Sequence, residues 1–275
     1  MAYATMILSL TSLGHCLCPR SHLEILITLT SIQTATPGNI TGLYIPEIRV
    51  AHPNLPLPIE SHMISLLDLR PVNRLLCIGA HPDDIELGAG GTIMRLVEQN
   101  PDLNIRWVVL TGADTERAEE ARKSAALFTA GAEKTNIEIH GFKDAYLPWE
   151  GDKVKRVFEA LKNDFSPDLV LTHHNDDRHQ DHGLVSELTW NTWRDHGILE
   201  YEILKWDGDL GHPNVFVPLT ESLSQRKVEQ IVDNYATQQS RSWFNRENFL
   251  AMMRLRGVES NVEFAEAFYA RKLVW

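Results

Sequence analysis

Basic residues are scarce in this chain: 26 lysines and arginines stand against 37 aspartates and glutamates, for a formal net charge of −11. No basic stripe is present to neutralise a phosphate backbone, which argues against nucleic acid as a partner. Cysteine is scarcer still. Cys16, Cys18 and Cys77 are an odd count without a repeating framework, which speaks against a disulfide scaffold and fits a reducing, cytoplasmic setting. Cys77 lies in an apolar strand-like run and reads as an inert core thiol. No stretch approaches the ~18 consecutive apolar residues of a membrane helix. No basic residue precedes Arg20 to open a signal peptide, so no membrane role is expected. The remainder is ordinary for a globular protein, with 43% hydrophobic and 23% charged residues among 275, enough for one good-sized domain.

Residues 1–62 hold few charges and no sustained helical or strand period, and the run Pro53-Asn54-Leu55-Pro56-Leu57-Pro58 cannot form a regular element. They read as a weakly structured extension, with Met63 as an alternative true start. Residues 63–275 read as one domain. From Arg74 the pattern turns to alternating strands and helices. Strands are expected at 75–79, 105–111, 136–140 and 168–172, and helices at 87–99, 114–131, 152–164 and 182–196. Asp114 is the expected cap and Gly131 the expected stop of the second helix. Further strands are expected at 201–206 and 214–217, helices at 221–236 and 246–256, and a last strand or helix at 264–273. The β-α alternation predicts a Rossmann-like three-layer α/β/α sandwich with a mainly parallel sheet.

Ligands in open α/β sheets collect beyond the carboxyl ends of the strands, and the polar clusters fall there. His81-Pro82-Asp83-Asp84 follows the first strand; His173-His174-Asn175-Asp176-Asp177-Arg178-His179-Gln180-Asp181-His182 follows the fourth. Each alone would read as a capped turn or a solvated polar loop. Together, beyond two strand ends, they suit a metal site. Catalytic zinc takes three protein ligands from nitrogen and oxygen donors, which two histidines and one aspartate satisfy. Asp83 is then a spare carboxylate, able to take a proton from water acidified by the metal.

The segment Gly79-Ala80-His81-Pro82-Asp83-Asp84-Ile85-Glu86-Leu87-Gly88-Ala89-Gly90-Gly91-Thr92 resembles the signature of the LmbE/PIG-L family of N-acetylglucosaminyl deacetylases. His179-Gln180-Asp181-His182 is similar to that family's second motif, His-x-Asp-His. The resemblance covers roughly residues 73–275. It implies a zinc-dependent amide hydrolase that removes the acetyl group from a small N-acetylated sugar or sugar conjugate. It implies His81, Asp84 and His182 as zinc ligands (iron or another divalent metal stays open) and Asp83 as general base. His179 would stabilise the oxyanion and protonate the leaving amine, with Asp181 tuning and orienting His179.

Further contacts follow from the same resemblance. Arg117, in Arg117-Ala118-Glu119-Glu120-Ala121, is a candidate for a sugar hydroxyl or phosphate, and Asp144 for sugar hydroxyls. Trp149, in the loop after the third strand, is the tryptophan placed to stack on a sugar ring. The chain lacks the longer glycine-rich loop that many members carry after the second strand. His173 and His174 read as surface-loop residues, with support of the metal ligands as the alternative. Gly88, Gly90 and Gly91 lack the G-x-G-x-x-G spacing of a dinucleotide loop, since position 93 is Ile, and read as close-packing positions of a helix. Two other classes remain: a metal- or sugar-binding homologue without catalysis, which the presence of Asp83 and His179 opposes, and a nucleotide-cofactor enzyme, which the missing glycine pattern opposes. A homo-oligomer is left open.

Overall fold

The strand β1 (Arg74–Gly79) is buried along all but its first residue, as a strand covered on both faces must be. In this computed structural model, which describes residues 72–273, β1 lies in the middle of a seven-stranded sheet. The strands β2 (Asn104–Thr111), β3 (Lys134–Phe142), β4 (Leu169–His173), β5 (Gly197–Tyr201), β6 (Val215–Leu219) and β7 (Phe264–Tyr269) complete it. The order is β3-β2-β1-β4-β5-β7-β6. The first five in that order are parallel, and β7 runs antiparallel to both β5 and β6.

Among the described residues six α-helices accompany the sheet: α1 (Asp84–Gln99), α2 (Arg117–Phe128), α3 (Gly151–Asp164), α4 (Gln180–Thr192), α5 (Glu221–Asn234) and α6 (Arg246–Glu259). The period-two alternation of the strands splits the core in two. Leu75, Cys77, Ile105 and Trp107 pack with Ile85, Ile93, Val228 and Phe249 of the α1, α5 and α6 layer. Leu76, Ile78, Val108 and Val170 pack with Val154, Phe158 and Val185 of the α3 and α4 layer. The expected three-layer, mainly parallel architecture is therefore present.

The helix α1 is seated unusually close to the sheet. A Cβ at Gly88 would stand 2.3 Å from Tyr201 Cδ2 of β5 and one at Gly91 2.5 Å from Leu219 Cδ1 of β6, while one at Gly90 would stand 2.5 Å from Phe128 Cε1 of α2. These glycines serve close packing, as read from the sequence.

Several boundaries differ from expectation. Strand β5 occupies Gly197–Tyr201 and ends where the fifth strand was expected to begin. Beyond it Glu202 turns to Arg256 and Lys205 to Asp209, and these polar partners draw the chain off the sheet. Asp114 caps nothing: Gly112, at φ 95°, opens a turn closed by Thr115 N–H donating to Gly112 O at 3.1 Å, and α2 starts only at Arg117. Gly131 lies beyond the end of α2. Helix α4 begins at Gln180 and ends at Thr192, so His182 sits in its first turn. The expectations placed on residues 1–62 lie outside the described residues, among which no helix is long and apolar enough to cross a membrane.

Candidate metal centre

The sheet order reverses between β1 and β4: β2 and β3 extend to one side of β1, and β4 and β5 to the other. Crevices at such switch points are where α/β sheets bind ligands. Both polar loops leave strands at this crevice. The β1 loop is pinned at Ala80, whose N–H donates to His173 Nε2 at 2.9 Å and whose carbonyl accepts from Thr111 N at 3.0 Å.

Asp83 then takes φ 99°, a left-handed conformation that non-glycine residues adopt at a cost of about 1–3 kcal/mol and that clusters at functional sites. The turn sends the adjacent carboxylates to different partners. Asp83 Oδ1 lies 2.8 Å from an Arg117 guanidinium nitrogen, and the same nitrogen donates to Pro82 O. Asp84 Oδ2 accepts from His81 N at 2.7 Å and faces three imidazoles.

His81 Nδ1, His182 Nε2 and Asp84 Oδ2 form a triangle with edges of 3.1, 3.2 and 3.4 Å. Four-coordinate zinc with ligands at about 2.0–2.1 Å has ligand–ligand edges of about 3.3 Å, so the triangle matches one face of that polyhedron. The outer nitrogens explain why a cation suits it. His81 Nε2 faces Asp144 Oδ1 at 3.1 Å and Asp181 Oδ2 at 3.2 Å; His182 Nδ1 faces Asp177 Oδ2 at 2.9 Å. Ionised carboxylates only accept, so these nitrogens carry the ring protons. In the neutral rings the inner nitrogens therefore hold lone pairs, and three lone-pair donors converge. A divalent metal fits this donor set, as the chemistry of nitrogen and oxygen ligands requires.

The electrostatics show a site that attracts positive charge, a proton or a metal ion. Burial would lower both His81 and His182, but Asp84 and the outer carboxylates raise them above the ordinary histidine value. Burial would raise Asp84, but His182, His173 and His81 hold it well below the usual carboxylate range. Asp83 moves the other way. Burial pushes it up, the Arg117 guanidinium opposes, and Asp84 and Glu86 add to the rise, which reaches about 7. A carboxyl in that range is matched to proton transfer near neutrality.

His179 is the N-cap of α4; its Nδ1 accepts from Asp181 N at 3.3 Å, which leaves Nε2 as the protonated nitrogen of the neutral ring. Its ring lies 4.8 Å from that of His81 and 4.6 Å from that of His182. Burial and the two neighbouring imidazoles lower its pKa. Its nitrogens are also close enough to His81 and His182 to form a second candidate ligand trio.

Asp181 acts on His179 through its charge, which works to raise the pKa of that imidazole, while its side chain is bonded elsewhere. Its carboxylate is fully buried, faces His81, and accepts from Ala145 N at 2.8 Å and Leu147 N at 3.1 Å. Only its main chain is hydrogen-bonded to the His179 ring. Asp181 and His182 are neighbours on a helix, about 100° apart around its axis, so their side chains meet different elements. Asp144 reaches the same His81 nitrogen while 67% exposed. Trp149 stands on the short turn Leu147–Glu150, 73% exposed, with its ring 5.8 Å from that of Tyr146.

Three residues of the β4 loop are placed differently from their main sequence reading. His173, expected on the surface, is fully buried and stacks on His182 at 3.9 Å. It is the last residue of β4 and shares the strand face of Leu169 and Leu171, a parity that would have found it had the strand been extended by one residue. His174 is partly buried and stacks on Tyr269 at 3.6 Å. Asp177, counted only as part of an acidic loop, holds His182.

Fold and site together define an α/β protein with a candidate His/Asp metal site at its topological switch point. A family model described as PIG-L: GlcNAc-PI de-N-acetylase matches residues 76–193. The chain is 37% identical over 143 residues to the uncharacterized deacetylase YaiS of Escherichia coli K12, covering 48% of this chain and 72% of YaiS. It is 30% identical over 127 residues to the diacetylchitobiose deacetylase of Thermococcus kodakarensis, covering 40% of this chain and 46% of that protein. In fold it resembles GalB, the 4-carboxy-2-hydroxymuconate hydratase of Pseudomonas putida KT2440, with a TM-score of 0.60 at 18% identity over 74% of this chain and 98% of GalB. The chain belongs to the PIG-L family. Because the fold is shared with a hydratase, the reaction has to be argued from the site.

Proposed function

We propose that this chain is a zinc-dependent hydrolase that removes the acetyl group from a small N-acetylated sugar or sugar conjugate. The observation that carries the reading is the separation of two adjacent carboxylates: Asp84 in a triangle of lone-pair donors, Asp83 outside it with a pKa near neutrality. Together they are the ligand and the base that metal-assisted amide hydrolysis needs, and the deacetylase relatives point to the amide.

His81, Asp84 and His182 would hold the metal. When bound, a divalent ion polarises the amide carbonyl and acidifies water. Asp83 takes the proton of the attacking water, and Arg117 keeps its carboxylate aimed. His179 would present its Nε2 proton to the oxygen on which negative charge develops, and the proton that Asp83 took from water would pass to the departing nitrogen, leaving acetate and a free amine. We assign His179 to this role and not to the ligand set. Asp181 orients His81 and anchors the loop that carries Asp144 and Trp149. Asp144 would accept from sugar hydroxyls, and Trp149 would stack on a ring. Arg117, engaged by Asp83 and Pro82, is assigned to positioning the base rather than to a phosphate.

Two measurements on the purified full chain test this: metal content after dialysis, and acetate release from a panel of N-acetylated mono- and disaccharides. One equivalent of zinc and release from at least one sugar amide are expected. Zinc without acetate from any member would remove the sugar deacetylase assignment, and absence of bound metal would remove the mechanism.

A further inference from the structure

We propose that Lys205 sets how tightly the His81–Asp84–His182 triangle holds its cation, by sharing the Asp177 carboxylate with His182. The proposal rests on the metal reading above and adds a residue beyond the segment matched by the family model, which ends at residue 193.

Asp177 is a hub. Its side chain is 3% exposed. Oδ1 accepts from His179 N at 2.8 Å, and Oδ2 faces both His182 Nδ1 at 2.9 Å and Lys205 Nζ at 3.1 Å. One carboxylate thus steadies the first turn of α4, fixes the tautomer of a ligand imidazole and receives an ammonium. Lys205 arrives from the segment after β5, in which Asp209 Oδ2 lies 2.5 Å from Nζ and also accepts from Arg178 N at 2.8 Å. Asp207 stands at 3.7 Å. Asp177, Asp207 and Asp209 are close enough to resemble a second cation site, but the Lys205 ammonium already lies against all three.

A ligating imidazole becomes a stronger donor when its far N–H is hydrogen-bonded to a carboxylate, and loss of such a partner weakens metal binding by about 10–100-fold. A second cation on the same carboxylate oxygen withdraws part of that support. Near-complete burial of Asp177 leaves little water or salt to screen the effect. Lys205 therefore moderates the pull of Asp177 on His182, lowering affinity and leaving the cation more electrophilic. Asp209 acts in the opposite sense, because it takes a share of the Lys205 charge.

Zinc dissociation constants of the full chain, obtained by competition with a chromophoric chelator, test the proposal without reference to activity. Lys205→Gln, which keeps a donor but removes the charge, should tighten binding several-fold. Lys205→Arg should stay close to wild type, and Asp209→Asn should weaken binding several-fold. Asp177→Asn should weaken it by about tenfold or more, and Lys205→Gln added to that variant should shift nothing further. Unchanged or weaker binding by Lys205→Gln overturns the proposal, as does an equal shift with and without Asp177. If Lys205→Gln does not fold, the Asp209→Asn result decides alone. A wild-type chain that binds no zinc overturns the metal reading itself, a result distinct from wild-type binding that ignores Lys205.

Discussion

Replacing Gly88 with alanine should disturb fold and metal site together. The added Cβ would stand 2.3, 2.6 and 2.8 Å from Cδ2, Cγ and Cβ of Tyr201, against about 3.5–4.0 Å for a favourable carbon–carbon contact. Something must move by more than about 1 Å. Tyr201 has no room: it is fully buried, its hydroxyl donates to Ile78 O at 2.6 Å, and its backbone is registered with His173 on β4 and Phe268 on β7. Moving α1 instead would carry Asp84, one helical turn earlier, away from His182. Overpacking of this kind costs about 1–3 kcal/mol. The closeness of the contact argues for the upper end, and the better helix propensity of alanine returns about 1 kcal/mol. The net loss is about 2 kcal/mol, or about 4–8 °C in Tm for a domain of this size. Gly183→Ala is the control: it lies in α4 with nothing within 4 Å of its added Cβ, and should gain up to about 1 kcal/mol. Urea unfolding of chelator-treated protein, followed by tryptophan fluorescence, separates the two without a contribution from bound metal. Gly88→Ala should also bind zinc more weakly, because Tyr201 packs edge-on against His173 at 4.9 Å and His173 stacks on His182. A Gly88→Ala protein as stable as Gly183→Ala would refute the packing argument.

Asp84→Ala and His182→Ala should each lose zinc on dialysis; a full equivalent retained by either would remove that residue from the ligand set. Asp83→Asn should keep metal and fold while losing about 10²–10⁴-fold in turnover, the range for a proton-transfer group, and near-wild-type turnover would end its role as base. His179→Ala should likewise spare metal and depress turnover, whereas metal loss equal to that of His182→Ala would place it among the ligands. Trp149→Ala should raise KM with kcat nearly unchanged and leave Tm within about 2 °C, since the ring is exposed; an unchanged KM on every accepted sugar would remove the stacking contact.

The layers of the fold were legible because buried parallel strands are read directly as short apolar runs: Leu75 to Ile78 and Leu169 to Leu171 have nowhere to be but under helices. The partners of the site were less legible. Chain spacing brings His81 and Asp84 into one turn, and His179 and His182 into another, but it does not say which carboxylate faces which ring. Asp181 adjoins His182 in sequence and contacts His81, one hundred residues away. Lys205 meets Asp177 from the segment after β5, which stops at Tyr201, and the next residue, Glu202, pairs with Arg256, more than fifty positions later. No local pattern encodes such a boundary.

The run His81-Pro82-Asp83-Asp84 shows what backbone geometry adds to composition. Two consecutive aspartates with equal intrinsic acidity end with pKa values moved in opposite directions. Burial pushes both the same way, so it cannot separate them. What separates them is φ 99° at Asp83, which turns one carboxylate toward a single guanidinium and the other toward three imidazoles. The strained conformation is held because both ends are tied: Ala80 to His173 and Thr111, and Leu87 N–H to Asp83 O at 3.0 Å in the first turn of α1. Relaxing Asp83 into an ordinary conformation would break that placement and bring the proposed ligand and the proposed base into one environment. In the proposed mechanism the strain, on the order of 1–3 kcal/mol, is no larger than the contribution of a positioned proton-transfer group, about 10²–10⁴-fold in rate.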